Sequence, residues 1–136
     1  MKLGMLLATV FFAAVSFIPT MTEAAGTLSA EAPFICVPTS VWECSSNGDC
    51  LRGTARSENL PEFFTIDLKA KTLHAEEKGR ESTIERVNST GDRTVLYGQD
   101  GISGWVVMIN LKSGSLTASV TGDEESFVID GVCLPQ

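Results

Sequence analysis

Trp105-Val106-Val107-Met108-Ile109-Asn110-Leu111, followed by Lys112-Ser113-Gly114 and then Ser115-Leu116-Thr117-Ala118-Ser119-Val120-Thr121, carries the clearest structural signal in the chain. Residues 105–111 are rich in β-branched and aromatic side chains, the types that fit a pleated, half-buried surface. Because polar residues do not alternate early in that run, contacts on both of its faces are expected. Gly114 and its neighbours supply turn chemistry. Beyond them Leu116, Ala118 and Val120 alternate with Thr117, Ser119 and Thr121, the two-residue period of a strand with one buried face.

The same pattern occurs 43 residues earlier, where Ile66-Asp67-Leu68-Lys69-Ala70-Lys71-Thr72-Leu73-His74-Ala75 aligns with Ile109 to Ala118 at five identities in ten. Each copy reads as a β-hairpin, with Asp67 and Asn110 placed to serve the turns. Antiparallel neighbours are therefore predicted at 62–76 and 104–121.

Working outward, Phe34-Ile35-Cys36-Val37 makes a short strand before Pro38, and Phe64 opens another. Val95-Leu96-Tyr97 ends at Gly98, and Phe127-Val128-Ile129 precedes Gly131-Val132-Cys133. Residues 38–61 read as an irregular excursion pinned by a disulfide. Its one large apolar group, Trp42, is expected to lid the end of the core, with an exposed binding aromatic as the alternative. The segment 76–87, carrying Glu76, Glu77, Glu81 and Glu85 around Ile84 and Val87, reads equally as strand or helix. No long apolar helical stripe occurs in residues 25–136. The fold class is all-β: a small antiparallel meander forming a compact barrel or sandwich, with the disulfide-pinned excursion near its N-terminus.

Lys2 and the uncharged run Leu3–Ile18, ended by Pro19 and followed by Thr22-Glu23-Ala24, have the form of a secretory signal over 1–24. The run is shorter than the ~20 apolar residues that span a bilayer as a helix. A flexible leader at 25–33 and a single β-rich domain at 34–136 follow. The expected location is periplasmic or secreted, with no integral membrane span in the mature form.

In that compartment an even number of cysteines reads as disulfides. The chain has four, which allow three pairings. Ser45-Ser46-Asn47-Gly48-Asp49 is turn-rich and favours Cys44 with Cys50, leaving Cys36 with Cys133 to tie the start of the domain to its end. Closing so long a loop contributes ~4–5 kcal/mol in the chain-entropy model. The spacings lack a Cys-x-x-Cys pair and the chain has one histidine, His74, so neither a zinc site nor a thioredoxin-like motif is expected.

The formal net charge is −7. Loss of residues 1–24 removes Lys2 and Glu23, one charge of each sign, and leaves it unchanged. The remaining basic residues are scattered, so no nucleic-acid partner is expected, while a cationic partner is compatible.

No constellation points to catalysis. Glu76 with Glu77 and Glu124 with Glu125 read as solvated charge. Asp100, Asp123 and the glycines at 98, 101 and 104 read as turn formers. His74 aligns with the surface-type Thr117 and is expected to be exposed. Ser103 lacks a nucleophile-elbow setting, and Gly122-Asp123-Glu124-Glu125 is too short for a calcium loop. Asn88-Ser89-Thr90 has the form of a glycosylation sequon. No cofactor or metal is expected; the candidate binding surface is Trp42, Ser103 and Trp105.

Phe34-Ile35-Cys36, Cys44 and Cys50, Leu60-Pro61 before a Phe-containing strand, Gly104-Trp105, and Phe127-Val128-Ile129-Asp130-Gly131-Val132-Cys133 together resemble small secreted proteobacterial proteins without assigned function. The resemblance covers residues 34–133, implies a bacterial periplasmic home and carries no catalytic residue. More remotely the chain is similar to periplasmic inhibitors of c-type lysozyme, small β-barrels with a disulfide between their ends. Their inhibitory Ser-Gly followed by tyrosine is not reproduced, since Ser103-Gly104 leads to Val106. The expected function is a non-catalytic binding or envelope-support domain acting on an unidentified protein or envelope component. An inhibitor of a cationic exported enzyme such as lysozyme, and a small-ligand carrier or enzyme using a barrel cavity, are the alternatives.

Overall fold

The computed structural model describes residues 26–136; the expected signal segment, 1–24, lies outside them. Among the described residues ten strands form: β1 Phe34–Ser45, β2 Cys50–Gly53, β3 Phe64–Asp67, β4 Thr72–Ala75, β5 Arg80–Thr83, β6 Arg86–Thr90, β7 Arg93–Asp100, β8 Ser103–Asn110, β9 Ser115–Thr121 and β10 Glu125–Pro135. They make one antiparallel sheet in the order β5-β4-β3-β1-β10-β9-β8-β7-β6, with β2 paired to β1 outside this path.

The two ends of that order, β5 and β6, are joined in sequence by Ile84 and Glu85 alone. Such a link forces the sheet to curl until its edges approach, and the result is a curled half-barrel. The link is fixed on both sides: the Ile84 N–H donates to Lys71 O at 2.8 Å and the Glu85 N–H to Tyr97 O at 2.9 Å. Ile84 itself is buried. Near this closure a Cβ on Gly98 would overlap the Trp105 ring and come within 2.8 Å of Thr83 O, so the absent side chain is what lets β5, β7 and Trp105 meet.

Inward-facing residues from nearly every strand fill the curl. Phe34, Cys36, Ile66, Leu96 and Ile109 have essentially no solvent exposure. They occupy alternate positions of their strands, so the period of two does place the core. Both duplicated segments are hairpins. Ile66 faces Leu73 across the first as Ile109 faces Leu116 across the second. Asp67 Oδ1 accepts the Ala70 N–H at 2.8 Å; Asn110 Oδ1 accepts the N–H groups of Lys112 and Ser113 at 3.0 Å each.

Both disulfides join residues that lie directly opposite one another on paired strands, Cys36 with Cys133 and Cys44 with Cys50. The first is buried in the core; the second clamps the tip of a hairpin turned by Ser45–Asp49, with Gly48 at φ +93°.

Several expectations are corrected. Residues 38–53 are not irregular: β1 continues through Pro38 to Ser45 and returns as β2. Pro38 is accommodated because the register with β10 shifts between Pro38 and Ser40, a bulge where a missing N–H costs little. Opposite it, a Cβ on Gly131 would come within 2.7 Å of Val37 O. Segment 76–87 is neither one strand nor one helix but a 3-10 turn at Glu76–Lys78, then β5, the link and the start of β6. β8 buries only one face; Val106 and Met108 on the other are exposed. Within the leader, Leu28 is buried and its N–H donates to Leu111 O at 2.8 Å, so that stretch is held at this residue.

Candidate binding cavity

The half-barrel is open at the end where the β7–β8 and β9–β10 turns lie beside the loop 54–63. A cavity of about 340 Å³ occupies this end. Its floor is apolar: Phe64 and Leu73 from β3 and β4, Trp105 and Val107 from β8, and Phe127 and Ile129 from β10 all point inward. Its rim is polar, with Glu58 and Asn59 from the loop, Arg80 and Ser82 from β5, Asp100 and Ser103 from the β7–β8 turn, and Glu125 at the start of β10.

The loop is held over the opening by its own network. Thr54 and Ser57 exchange hydrogen bonds between backbone and hydroxyl groups at 2.9 and 3.1 Å, and the Leu60 N–H donates to Ala55 O at 2.8 Å. Lys78 Nζ donates to Asn59 Oδ1 at 3.0 Å, and the Arg56 guanidinium pairs with Glu62 at 2.8 Å, which holds the Glu62 carboxyl below the usual carboxylate range.

Carboxylates gather at this end. Glu43, on the inward side of β1, is held above the usual carboxylate range, first by a side-chain hydrogen bond with Glu58, then by partial desolvation and the repulsion of Glu58 and Glu125. Glu58 moves the other way, lowered by the Ser57 hydroxyl and by Glu43. Two carboxyl groups sharing a hydrogen bond retain a proton on one of them more readily than an isolated carboxyl does.

The three expected site residues separate here. Ser103 and Trp105 both line the cavity. Trp42 does not, and it is no lid: it stands on the outer face, opposite Val128, with 41% of its surface exposed. Glu125, expected as plain solvated charge, is on the cavity rim, because Glu124 lies before the strand and Glu125 begins it. Glu58 and Phe127 were not expected at a site. The apolar alternation of Phe127 with Ile129 was readable as an inward face; nothing local to Glu58 announces that its loop crosses the opening. His74 is half-buried on β4 between Thr65 and Glu81, not fully exposed, and Asn88-Ser89-Thr90 lies within β6. Among the described residues, no helix is long and apolar enough to cross a membrane.

Compared with protein-family models and with curated proteins, the chain matches none.

Proposed function

We propose that this is a non-catalytic, exported binding domain, periplasmic or secreted, whose ligand enters the open end of the half-barrel with an apolar body and a cationic head. The supporting observation is the cavity itself. An apolar floor favours a hydrophobic body, and a few polar groups at the mouth orient it. Three of the seven rim groups, Glu58, Asp100 and Glu125, are carboxylates against the single cation Arg80, and Glu43 beside them shares hydrogen bonds with, and is repelled by, Glu58 and Glu125, a crowding that a bound cation relieves. Export is supported by the signal-like N-terminus and by two disulfides in a small domain. Kinship with small secreted proteobacterial β-rich proteins belongs to the same proposal. A cationic side chain of a partner protein would use the same chemistry as a free amine, so an inhibitor of a cationic exported enzyme is a special case of this reading.

The test is calorimetric titration with octylammonium at neutral pH. Binding is expected in the wild-type domain, with roughly tenfold loss in Glu58→Gln or Glu125→Gln, about 1.4 kcal/mol each. The pH dependence has a definite sign. A carboxyl whose folded pKa is raised favours the fold below its ordinary pKa and loses that contribution as pH rises through the raised value. A bound cation favours the ionised form, so octylammonium affinity should fall as pH is lowered through the carboxylate range. Affinity independent of pH and of both glutamates would contradict the proposal.

A further inference from the structure

The two disulfides sit in opposite surroundings. Cys36 and Cys133, 0% and 3% exposed, lie inside the core, where no outside thiol reaches them while the fold is intact. Cys44 is half-buried and Cys50 exposed, at the tip of the β1–β2 hairpin. In thiol–disulfide exchange a thiolate must approach one sulfur of the bond, so access decides which bond reacts. The strand held by the accessible bond has little else to hold it. β2 pairs with β1 alone, none of its side chains is buried, and Leu51 is 72% exposed. β1, by contrast, is paired with β10 from Phe34 to Ser45, and just beyond it the Ser46 N–H donates to Glu124 O at 3.1 Å. Without the Cys44–Cys50 bond β1 stays in place, while β2 keeps only a four-residue ladder.

β2 in turn positions one side of the cavity mouth. The chain passes directly from Gly53 into the loop 54–63. Glu58 of that loop lies where Gly53 has no side chain: a Cβ there would overlap Glu58 Oε1 and come within 2.9 Å of Ser57 Oγ. The Ser57 hydroxyl donates to the same carboxylate at 2.6 Å. Across the hairpin Glu43, the residue before Cys44, meets Glu58 from β1. Glu58 thus rests on β2 at one end of a four-residue strand whose other end is Cys50.

We infer that Cys44–Cys50 is a redox latch on the cavity: reduction by a dithiol protein loosens β2, displaces Glu58 from the mouth and weakens ligand binding there. Its effect on a ligand rests on the cavity proposal; its chemistry does not. A thiolate of the dithiol attacks Sγ of Cys50, the S–S bond breaks, and Cys44 leaves as a thiolate that takes up a proton. The donor's second thiol, as thiolate, then attacks the mixed disulfide and releases Cys50, which is protonated in turn. Two electrons and two protons have passed to the cysteine pair, and the donor ends as a disulfide. Cys36–Cys133 stays closed and keeps β1 and β10 joined through the core.

The test is titration of the intact, folded domain with dithiothreitol, followed by alkylation with peptide mapping and by amide hydrogen exchange. Cys44 and Cys50 should be alkylated at reductant concentrations at least ~tenfold below those that expose Cys36 and Cys133. In that partly reduced form the dispersed core resonances should persist. The Glu58 and Leu60 N–H groups, which donate within the loop to Thr54 O and Ala55 O, should exchange faster. Octylammonium affinity should fall about tenfold, as in Glu58→Gln. Oxidised glutathione should reverse all three changes, and the double variant Cys44→Ser/Cys50→Ser should reproduce the loosened loop without reductant. Alkylation of all four cysteines together would overturn the inference. So would a reduced Cys44–Cys50 pair with unchanged amide exchange, or with octylammonium bound as tightly as before. If the oxidised domain binds no octylammonium, the cavity proposal fails, and labelling with amide exchange still decides the latch.

Discussion

The two hairpins β3–β4 and β8–β9 share half of their core sequence and the same turn, yet they do different things. In both, an Asp or Asn caps the turn, and the residue five after the first isoleucine adopts a left-handed backbone: Lys71 at φ +58° in the first and Gly114 at φ +73° in the second. The first stops after four residues per strand and contributes one inner wall through Phe64, Leu73 and Ala75. The second runs twice as far down β8: Trp105 and Val107 bound the cavity within, and Val106, Met108 and the row Ser115, Thr117, Ser119 and Thr121 are exposed without. Local sequence therefore sets the turn, while strand length and neighbours set what the hairpin presents.

The comparison can be broken at its core. Ile66 and Ile109 hold equivalent positions and both are fully buried. Ile109→Ala and Ile66→Ala should each cost ~2–5 kcal/mol by denaturant unfolding. A markedly smaller loss at Ile66 would show that the short hairpin is peripheral to the cooperative unit.

Exchanging the turn residues sharpens the contrast. A Cβ at Gly114 would overlap Cys133 O, whereas Lys71 already carries a side chain in the same backbone conformation. Gly114→Lys should therefore destabilise by ~1–3 kcal/mol. Lys71→Gly should change stability by less than ~1 kcal/mol, in the stabilising direction, since relief of the left-handed backbone outweighs the added freedom of the unfolded chain. Equal and opposite effects would mean that the backbone contact at Gly114 is without consequence.

The caps give smaller effects. Asn110→Ala removes an acceptor for two N–H groups and should cost ~1 kcal/mol; Asp67→Ala removes an acceptor for one and should cost less. The smallest effect is expected at the loop beside the short hairpin. Because Arg56 lowers the Glu62 carboxyl, their pairing is present above the ordinary carboxylate pKa and is lost as pH falls through the lowered value. Both groups are solvated, so Arg56→Gln should alter that acid limb only slightly.

The legible parts of this fold were those encoded by near neighbours. Alternation placed Leu116 and Ala118 inside, and the Asn47-Gly48 turn placed Cys44 opposite Cys50. What escaped were consequences of distant pairing. Pro38 reads as a strand stop unless β10 is known to shift register opposite it. Arg80–Thr83 and Arg86–Thr90 carry too few apolar residues to signal strands, and they become strands because neighbours offer free edges. The exposure of Val106 and Met108 was hidden by an apolar run whose outer face has no covering layer. Of the three residues named from the sequence, Ser103 and Trp105 line the candidate cavity while Trp42 stands on the outer face, and Glu58 was missed because only the closed topology brings its loop to the opening.

The central claim is that the open end of the half-barrel holds a hydrophobic cation. The chain has two tryptophans, one on each side of the sheet: Trp105 lines the cavity and Trp42 lies outside it. Titration with octylammonium, followed by the two indole N–H resonances, reads the claim directly. The account predicts a saturable shift of the Trp105 signal, an unmoved Trp42 signal, and no response of either to octanoate. A Trp105 signal that stays fixed under octylammonium, or moves equally with octanoate, would contradict it.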